Sequence, residues 1–284
     1  MDFKKITIIG VGLMGGSFAL AMRRQGFKGR ITGVGRRREN LIKAKENGII
    51  DEYSTVAADG IENAELILLS TPVGQFERVI NDIKDRIKKG AVVTDVGSVK
   101  GEVVKRLEPL MPEGVSFVGA HPIAGGESSG IETASAELFR DARCIITPGS
   151  KTDKKAVEVI ANLWEVIGSR VTIMSPEEHD FVYATVSHLP HVIAYTLINT
   201  ILNIREDFLP YGGRGLKDMT RIALSPVELW RDICIYNRDN ILNVMRNFSS
   251  SLSRMIEIME RSDWVALEKE FEKASKGRRL LESN

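Results

Sequence analysis

Cysteine is nearly missing from this chain: Cys144 and Cys234 are the only two in 284 residues. They lie far apart in apolar surroundings, which excludes a disulfide framework and fits buried free thiols in a reducing cytoplasm. An excess of one charge is missing as well. Thirty-nine Lys and Arg against 38 Asp and Glu leave a net +1, so nothing points to nucleic acid or to an anionic membrane surface. No apolar run reads as long enough to span a bilayer, and the N-terminus enters a strand pattern at once, with no signal-peptide pattern. His188 and His191 form a pair, but no third ligand stands at a metal-binding spacing, so no metal site is expected. Internal repeats and low-complexity segments are absent. What remains is a cytoplasmic globular protein, long enough to bury a substantial core and to divide into two domains.

The most informative stretch is residues 6–16, Ile-Thr-Ile-Ile-Gly-Val-Gly-Leu-Met-Gly-Gly. A β-branched run stops at Gly10, Gly12 and Gly15, and an apolar helical segment follows at 17–24. Gly10 permits a tight strand-to-helix turn, Gly12 lets backbone approach a diphosphate, and Gly15 packs helix on strand. The diphosphate would rest on free N–H groups at the helix start, with Leu13 and Met14 between the glycines. A bare glycine fingerprint also occurs as a structural turn; a strand before it and a helix after it point to a dinucleotide. The second strand, 31–34, ends at Gly35, where NAD enzymes place an acid for the ribose 2′-hydroxyl. Arg36, Arg37 and Arg38 follow. Guanidinium groups grip a 2′-phosphate through paired hydrogen bonds, so NADP is favoured, with NAD as the alternative. A solubilising loop would show the same arginines.

Strands and helices alternate through the first half. Strands are predicted at 66–70, 91–95, 115–119, 144–147 and 170–174, with helices at 39–47, 75–88, from 100, and at 154–167. This is an α/β Rossmann-type domain with a mostly parallel sheet, covering 1–174. Ser175-Pro176-Glu177-Glu178 combines a capping serine, a proline at the first helical position and a glutamate three past the cap. From 175 to 284 the chain reads as an all-helical domain, whose wide apolar stripes suggest dimerisation.

Ligands collect beyond the carboxyl ends of such strands. Thr71-Pro72 ends the fourth strand and should line the cofactor. Asp95-Val96-Gly97-Ser98-Val99-Lys100 ends the fifth. The sixth ends in a loop running from Gly119 through His121 to Gly125, Gly126 and Glu127. A histidine there suits proton chemistry near neutrality, and Ser98 could orient its ring; a structural loop residue is the alternative. In the helical half, His188 and His191 share one face, and Pro190 should kink or break their helix. His179, in a first turn beside Glu177 and Glu178, reads as solvent-facing. Gly212 to Arg221 places cations, among them Lys217 and Arg221, around a glycine-rich turn. Arg221 could clamp a carboxylate, or simply pair with Asp218. Trp230 reads as core or interface.

Taken in order, Ile9-Gly10-Val11-Gly12-Leu13-Met14-Gly15-Gly16-Ser17, Asp95 to Lys100, His121-Pro122-Ile123-Ala124-Gly125, Ser187 to His191, and Lys217 to Arg221 with Trp230 resemble the prephenate and arogenate dehydrogenases of tyrosine biosynthesis, over nearly the whole chain. The resemblance implies a Rossmann-type domain followed by a helical dimerisation domain. His121 matches the catalytic histidine that bonds the ring 4-hydroxyl, and Ser98 the serine that orients it. Arg221 matches the binder of a substrate carboxylate, and His191 a pocket histidine, with His188 beside it. Glu127 and Lys217 match polar residues that line or gate the pocket. Trp230 matches a tryptophan near the dimer interface that reaches toward the neighbouring site. Gly126 stands where many members carry a hydroxyl or a charge. The expected reaction is NAD(P)-dependent oxidative decarboxylation of prephenate in a homodimer, His191 favouring prephenate over arogenate, with dual specificity open. A 3-hydroxyacid-type dehydrogenase and a non-catalytic nucleotide sensor are the rival readings.

Overall fold

The computed structural model describes residues 3–125 and 130–282. Its centre is an eight-stranded sheet in the order β3-β2-β1-β4-β5-β6-β7-β8. The strands are β1 (Lys5–Ile9), β2 (Arg30–Val34), β3 (Glu52–Ser54), β4 (Leu66–Leu69), β5 (Val92–Asp95), β6 (Ser116–Pro122), β7 (Arg143–Pro148) and β8 (Arg170–Ile173). The order reverses at β1 and β4, the switch point where α/β sheets bind ligands. β4 is buried at every position, as a central parallel strand covered on both faces must be. The helices of this half are α1 (Leu13–Arg24), α2 (Arg38–Glu46), α3 (Ala57–Gly60), α4 (Phe76–Ile83), α5 (Gly101–Leu107) and α6 (Lys154–Val166). Phe18 of α1, Phe139 and Trp164 of α6 meet edge to face, with ring centroids 5.6 and 5.1 Å apart.

All pairings are parallel except β6 with β7. No crossover helix is described between these two strands, only a 3₁₀ turn at Ile131–Thr133, so the chain returns antiparallel. This pairing also carries β6 past its predicted end. His121 faces Ile145 and Pro122 faces Cys144 across the ladder, so His121 is a strand residue and not a loop residue.

The Ser175 hydroxyl accepts the Glu178 N–H at 3.1 Å, and Pro176 opens α7 (Pro176–Tyr183). After it come a π-helical turn (Ala184–His188) and α8 (Leu189–Ile204). These three pieces form one helical stretch of 29 residues, long and apolar enough to cross a membrane by length and composition. The expectation that no apolar run reaches that length is therefore corrected. Pro190 does not break the helix. The wide turn immediately before it absorbs the missing N–H, and the His191 Nδ1 reaches the Ser187 carbonyl at 2.9 Å. Further helices are α9 (Arg214–Thr220), α10 (Val227–Tyr236), α11 (Arg238–Glu260) and α12 (Trp264–Arg279).

The chain divides into compact units at 1–238 and 239–284, whereas its composition changes at 174/175. α7 to α10 share the first unit with the sheet because α7 packs on α5, and α10 on the turn after β4. In the second unit, Asp263 caps α12, and Arg254 pairs with Glu270 at 2.8 Å.

Candidate active site

The glycine loop has the geometry a diphosphate needs. Gly10 has φ +105°, and a side chain there would meet the Ser70 carbonyl oxygen at 2.5 Å. A Cβ on Gly15 would strike the Gly10 carbonyl and lie 2.8 Å from Ile8 Cγ2, so α1 rests directly on β1. A Cβ on Gly12 would meet nothing within 4 Å. Gly12 is the N-cap of α1 and supplies no side-chain cap, which leaves the first N–H groups, at half-buried Leu13 and Met14 and at Gly15, for a ligand. Beside them, the buried hydroxyls of Ser70 and Thr71 have no partner among the described residues, a cost a bound polar ligand removes. Pro72 precedes a 3₁₀ turn whose Gly74 N–H donates to Asp232 of α10 at 3.2 Å. At the end of β2, Gly35 is followed by exposed Arg36 and Arg37. The residues present fit a dinucleotide.

The end of β5 is tied to β6 by a fully buried ion pair. The Lys100 Nζ pairs with Asp95, both side chains 0 % exposed, and also donates to the Ala120 carbonyl at 2.9 Å. Asp95 accepts the N–H groups of Gly97 at 2.8 Å and Ala120 at 3.0 Å. Burial pushes the Asp95 carboxyl up, and Lys100 draws it back down. Such a pair costs desolvation, so its visible effect is to hold the loop at 97–99 against the residue preceding His121.

His121 is 9 % exposed. Its Nδ1 lies 2.8 Å from the Nε2 of His179, whose own Nδ1 lies 2.8 Å from the Asp180 Oδ1. Asp180 in turn accepts the Lys100 N–H at 2.7 Å and the Gly101 N–H at 2.8 Å, at the start of α5. Tyr183 packs against both rings, centroids 4.9 and 4.6 Å away. Burial, reinforced by His179, Lys100 and His188, holds the His121 imidazole well below its ordinary range, so it is neutral. Burial likewise pushes His179 down to about 2.

Two expectations are corrected here. His179 is not solvent-facing but 0 % exposed. The bond expected from Ser98 to His121 is made by His179 instead; among the described residues none joins the Ser98 side chain to that ring. His179 could have been noticed in the sequence: it precedes an aspartate and stands i, i+4 from Tyr183, on one helix face.

A second cluster lies on α8 and α10. His191 stacks on Trp230, centroids 3.6 Å apart and planes 21° apart. Burial lowers its imidazole and the charge of Arg221 lowers it further, which places Arg221 in electrostatic reach of the ring. His188 meets the edge of Trp230 at 5.9 Å. It is 1 % exposed, with Nδ1 3.2 Å from the Asn237 amide, and burial pushes it down to about 4. The Ser98 backbone interacts with His188, so the β5 end, His188 and Trp230 adjoin. Trp230 is buried against these rings of its own chain. Lys217 is exposed on α9, and no described contact joins it to His121. Gly126 and Glu127 lie outside the described residues. Cys144 is buried and Cys234 only half-buried; both are free thiols. Among the described residues no group of three or more His, Cys, Asp or Glu could hold a metal ion.

Comparison with known proteins gives the arrangement a context. Residues 18–173 match the family described as prephenate dehydrogenase, nucleotide-binding domain, and residues 175–273 the prephenate dehydrogenase dimerisation domain. A prephenate dehydrogenase of Bacillus subtilis is 35 % identical over 91 % of this chain and 71 % of its own length. A cyclohexadienyl dehydrogenase of Zymomonas mobilis is 34 % identical over 99 % and 97 %. The crystal structure of an Aquifex aeolicus prephenate dehydrogenase in complex with hydroxyphenyl propionate and NAD+ superposes with a TM-score of 0.94 at 39 % identity, covering 99 % of each chain.

Proposed function

The chain belongs to the prephenate dehydrogenase family, and from that premise we propose that it oxidises prephenate to 4-hydroxyphenylpyruvate with loss of carbon dioxide. The observation that carries the reading is His121: a neutral, nearly buried imidazole at the carboxyl end of β6, with Nδ1 already engaged and Nε2 left for a substrate hydroxyl. β4 and β5 separate β6 from the glycine loop at β1. At about 4.8 Å per strand that is roughly 14 Å along the carboxyl ends of the strands, a span that a nucleotide and its substrate would fill together.

The nucleotide, when bound, supplies the hydride acceptor. The chain's residues do the rest. His121 accepts the 4-hydroxyl proton at Nε2 as the carbinol carbon becomes a carbonyl. The ring carboxylate then leaves as carbon dioxide and the ring becomes aromatic, which makes the reaction irreversible. Arg221 binds a substrate carboxylate beside His191 and Trp230, and Ser98 contributes from the β5 end. Glu127, Lys217 and Gly126 are assigned to the pocket rim by resemblance. The hydroxyphenyl acid held by the Aquifex relative has the ring and carboxylate chain of such a product.

The absence of a carboxylate at Gly35 and the presence of Arg36 and Arg37 support NADP as the favoured nucleotide; the NAD+ of the Aquifex relative supports NAD. The functional boundary is placed at 174/175, in line with the two family matches. Exposed Phe181, Val186, Leu202 and Ile204 on the long apolar helix fit a homodimer of a cytoplasmic enzyme. Sedimentation at a dimer's mass supports that assembly; a monomer at micromolar concentration contradicts it.

The decisive comparison is kinetic, prephenate against arogenate with NAD+ and with NADP+. Turnover of prephenate, faster with NADP+, is expected. Turnover of arogenate alone would transfer the assignment to that substrate, and no turnover with either would favour a nucleotide sensor.

A further inference from the structure

The resemblance leaves His179 and Asp180 without a role, yet they hold the ring on which the proposed reaction turns. Their hydrogen bonds fix where each proton sits. Asp180 accepts two backbone N–H groups, one at each oxygen, at 2.7 and 2.8 Å, so its carboxylate acts as an acceptor. The 2.8 Å contact from Oδ1 to His179 therefore requires a proton on the His179 Nδ1. A neutral His179 then presents a lone pair at Nε2. The 2.8 Å contact to His121 is satisfied only when the His121 Nδ1 donates. That leaves the His121 Nε2 unprotonated, the form a general base needs.

We infer that His179, anchored by Asp180, is the positioning residue that selects the Nδ1–H tautomer of His121. The inference rests on the function proposed above and adds residues to the same site. Its physical logic is that of the serine-protease aspartate, which acts by fixing the tautomer of the catalytic histidine. Here an imidazole stands between carboxylate and base. A carboxylate directly on His121 would lie close to a substrate that itself carries two carboxylates. A neutral ring transmits the orientation and keeps that negative charge one ring further back. His179 is fitted for this: burial holds it neutral through the working pH range, so its lone pair is always present. Tyr183 confines both ring planes. The Ser175 cap and Pro176 begin α7 so that His179 and Asp180 fall where its first turn meets its second, against the start of α5.

The test separates tautomer selection from mere packing. His179→Leu removes the acceptor and should lower kcat by about 10²-fold or more, with KM for prephenate and the nucleotide Kd within about threefold. His179→Gln returns an acceptor oxygen near the same place and should recover at least about tenfold of that loss. In the unmodified protein, ¹⁵N imidazole NMR should show His121 protonated at Nδ1 and unprotonated at Nε2. Wild-type kcat in His179→Leu overturns the inference, and so does a loss that appears in KM and is not recovered by Gln. His121 found in the Nε2–H tautomer overturns it as well. Should His179→Leu fail to fold, the NMR result on the native protein decides alone. A native enzyme inactive on prephenate would sink the proposed function, while the tautomer measurement would still read out separately.

Discussion

The imidazole of His191 lies flat on the indole of Trp230, centroids 3.6 Å apart and planes inclined by 21°. The stack joins α8 to α10, and Asp232 on α10 accepts the Gly74 N–H from the turn after β4. One short helix thus touches both the cofactor-side loop and the proposed carboxylate site. Trp230→Phe keeps an aromatic face but reduces the stacked area. Aromatic pairs contribute about 0.5–1.5 kcal/mol beyond area burial. KM for prephenate should rise by about 2- to 10-fold, with kcat moving less. Unchanged KM would remove the stack from substrate binding.

Arg221→Ala tests the carboxylate clamp. Hydrogen bonds to charged groups contribute about 1.5–3 kcal/mol, so kcat/KM should fall by roughly 10- to 150-fold, mainly through KM. A variant with normal KM would assign Arg221 to structure alone.

Gly15→Ala tests the nucleotide loop. The added methyl would strike the Gly10 carbonyl and lie 2.8 Å from Ile8 Cγ2, and overpacking of this kind costs about 1–3 kcal/mol. Thermal stability should fall and nucleotide affinity should weaken together. By contrast, the methyl of Gly12→Ala meets nothing within 4 Å among the described residues, so the variant should fold normally and lose affinity through the ligand alone. Normal nucleotide binding in Gly12→Ala would place the diphosphate elsewhere.

The buried imidazoles make stability depend on pH. Burial pushes His179 down to about 2 and His188 to about 4 from an ordinary 6.5, and holds His121 well below that value too. Below pH 6.5 the unfolded chain takes up protons that the folded chain refuses. Stability is therefore full above about pH 6.5 and declines as the pH falls toward the folded values. Each imidazole contributes at most about 1.4 kcal/mol per pH unit. Asp95 and Asp180, whose carboxyls burial pushes up, act in the opposite sense above the ordinary carboxylate range, so the window to read is pH 7 to 5, against Asp95→Asn and Asp180→Asn variants. The melting temperature should drop across it; a flat profile would contradict the buried neutral histidines.

The parts of the fold legible in the sequence were those set by local chemistry. Gly10 and Gly15 announce the nucleotide loop because a side chain at either would strike backbone, and Gly12 because a side chain there would stand in the way of a ligand; Ser175 with Pro176 announces α7 because capping is a matter of a few adjacent residues. Residue type and position single out His121 and Arg221 as candidates. Long-range packing was not legible. His179 sits beside two glutamates and looks exposed; the packing of α7 on α5 and β7, with His121 of β6 against its ring, buries it. The extension of β6 through His121 depends on antiparallel β7, whose direction follows from the connection between them. Pro190 looks like a break, and the π-helical turn before it accommodates the ring. The 29-residue apolar helix is not legible in the sequence because the expected proline break divides it.

The central claim is that His121 is the base for prephenate oxidation. Its most direct test is single-turnover nicotinamide absorbance for wild type and His121→Asn, with prephenate and saturating nucleotide. The account predicts reduction of the nucleotide by the wild type, and a rate lower by about 10²–10⁴-fold in the variant at unchanged nucleotide affinity. A variant that reduces the nucleotide at the wild-type rate would contradict it.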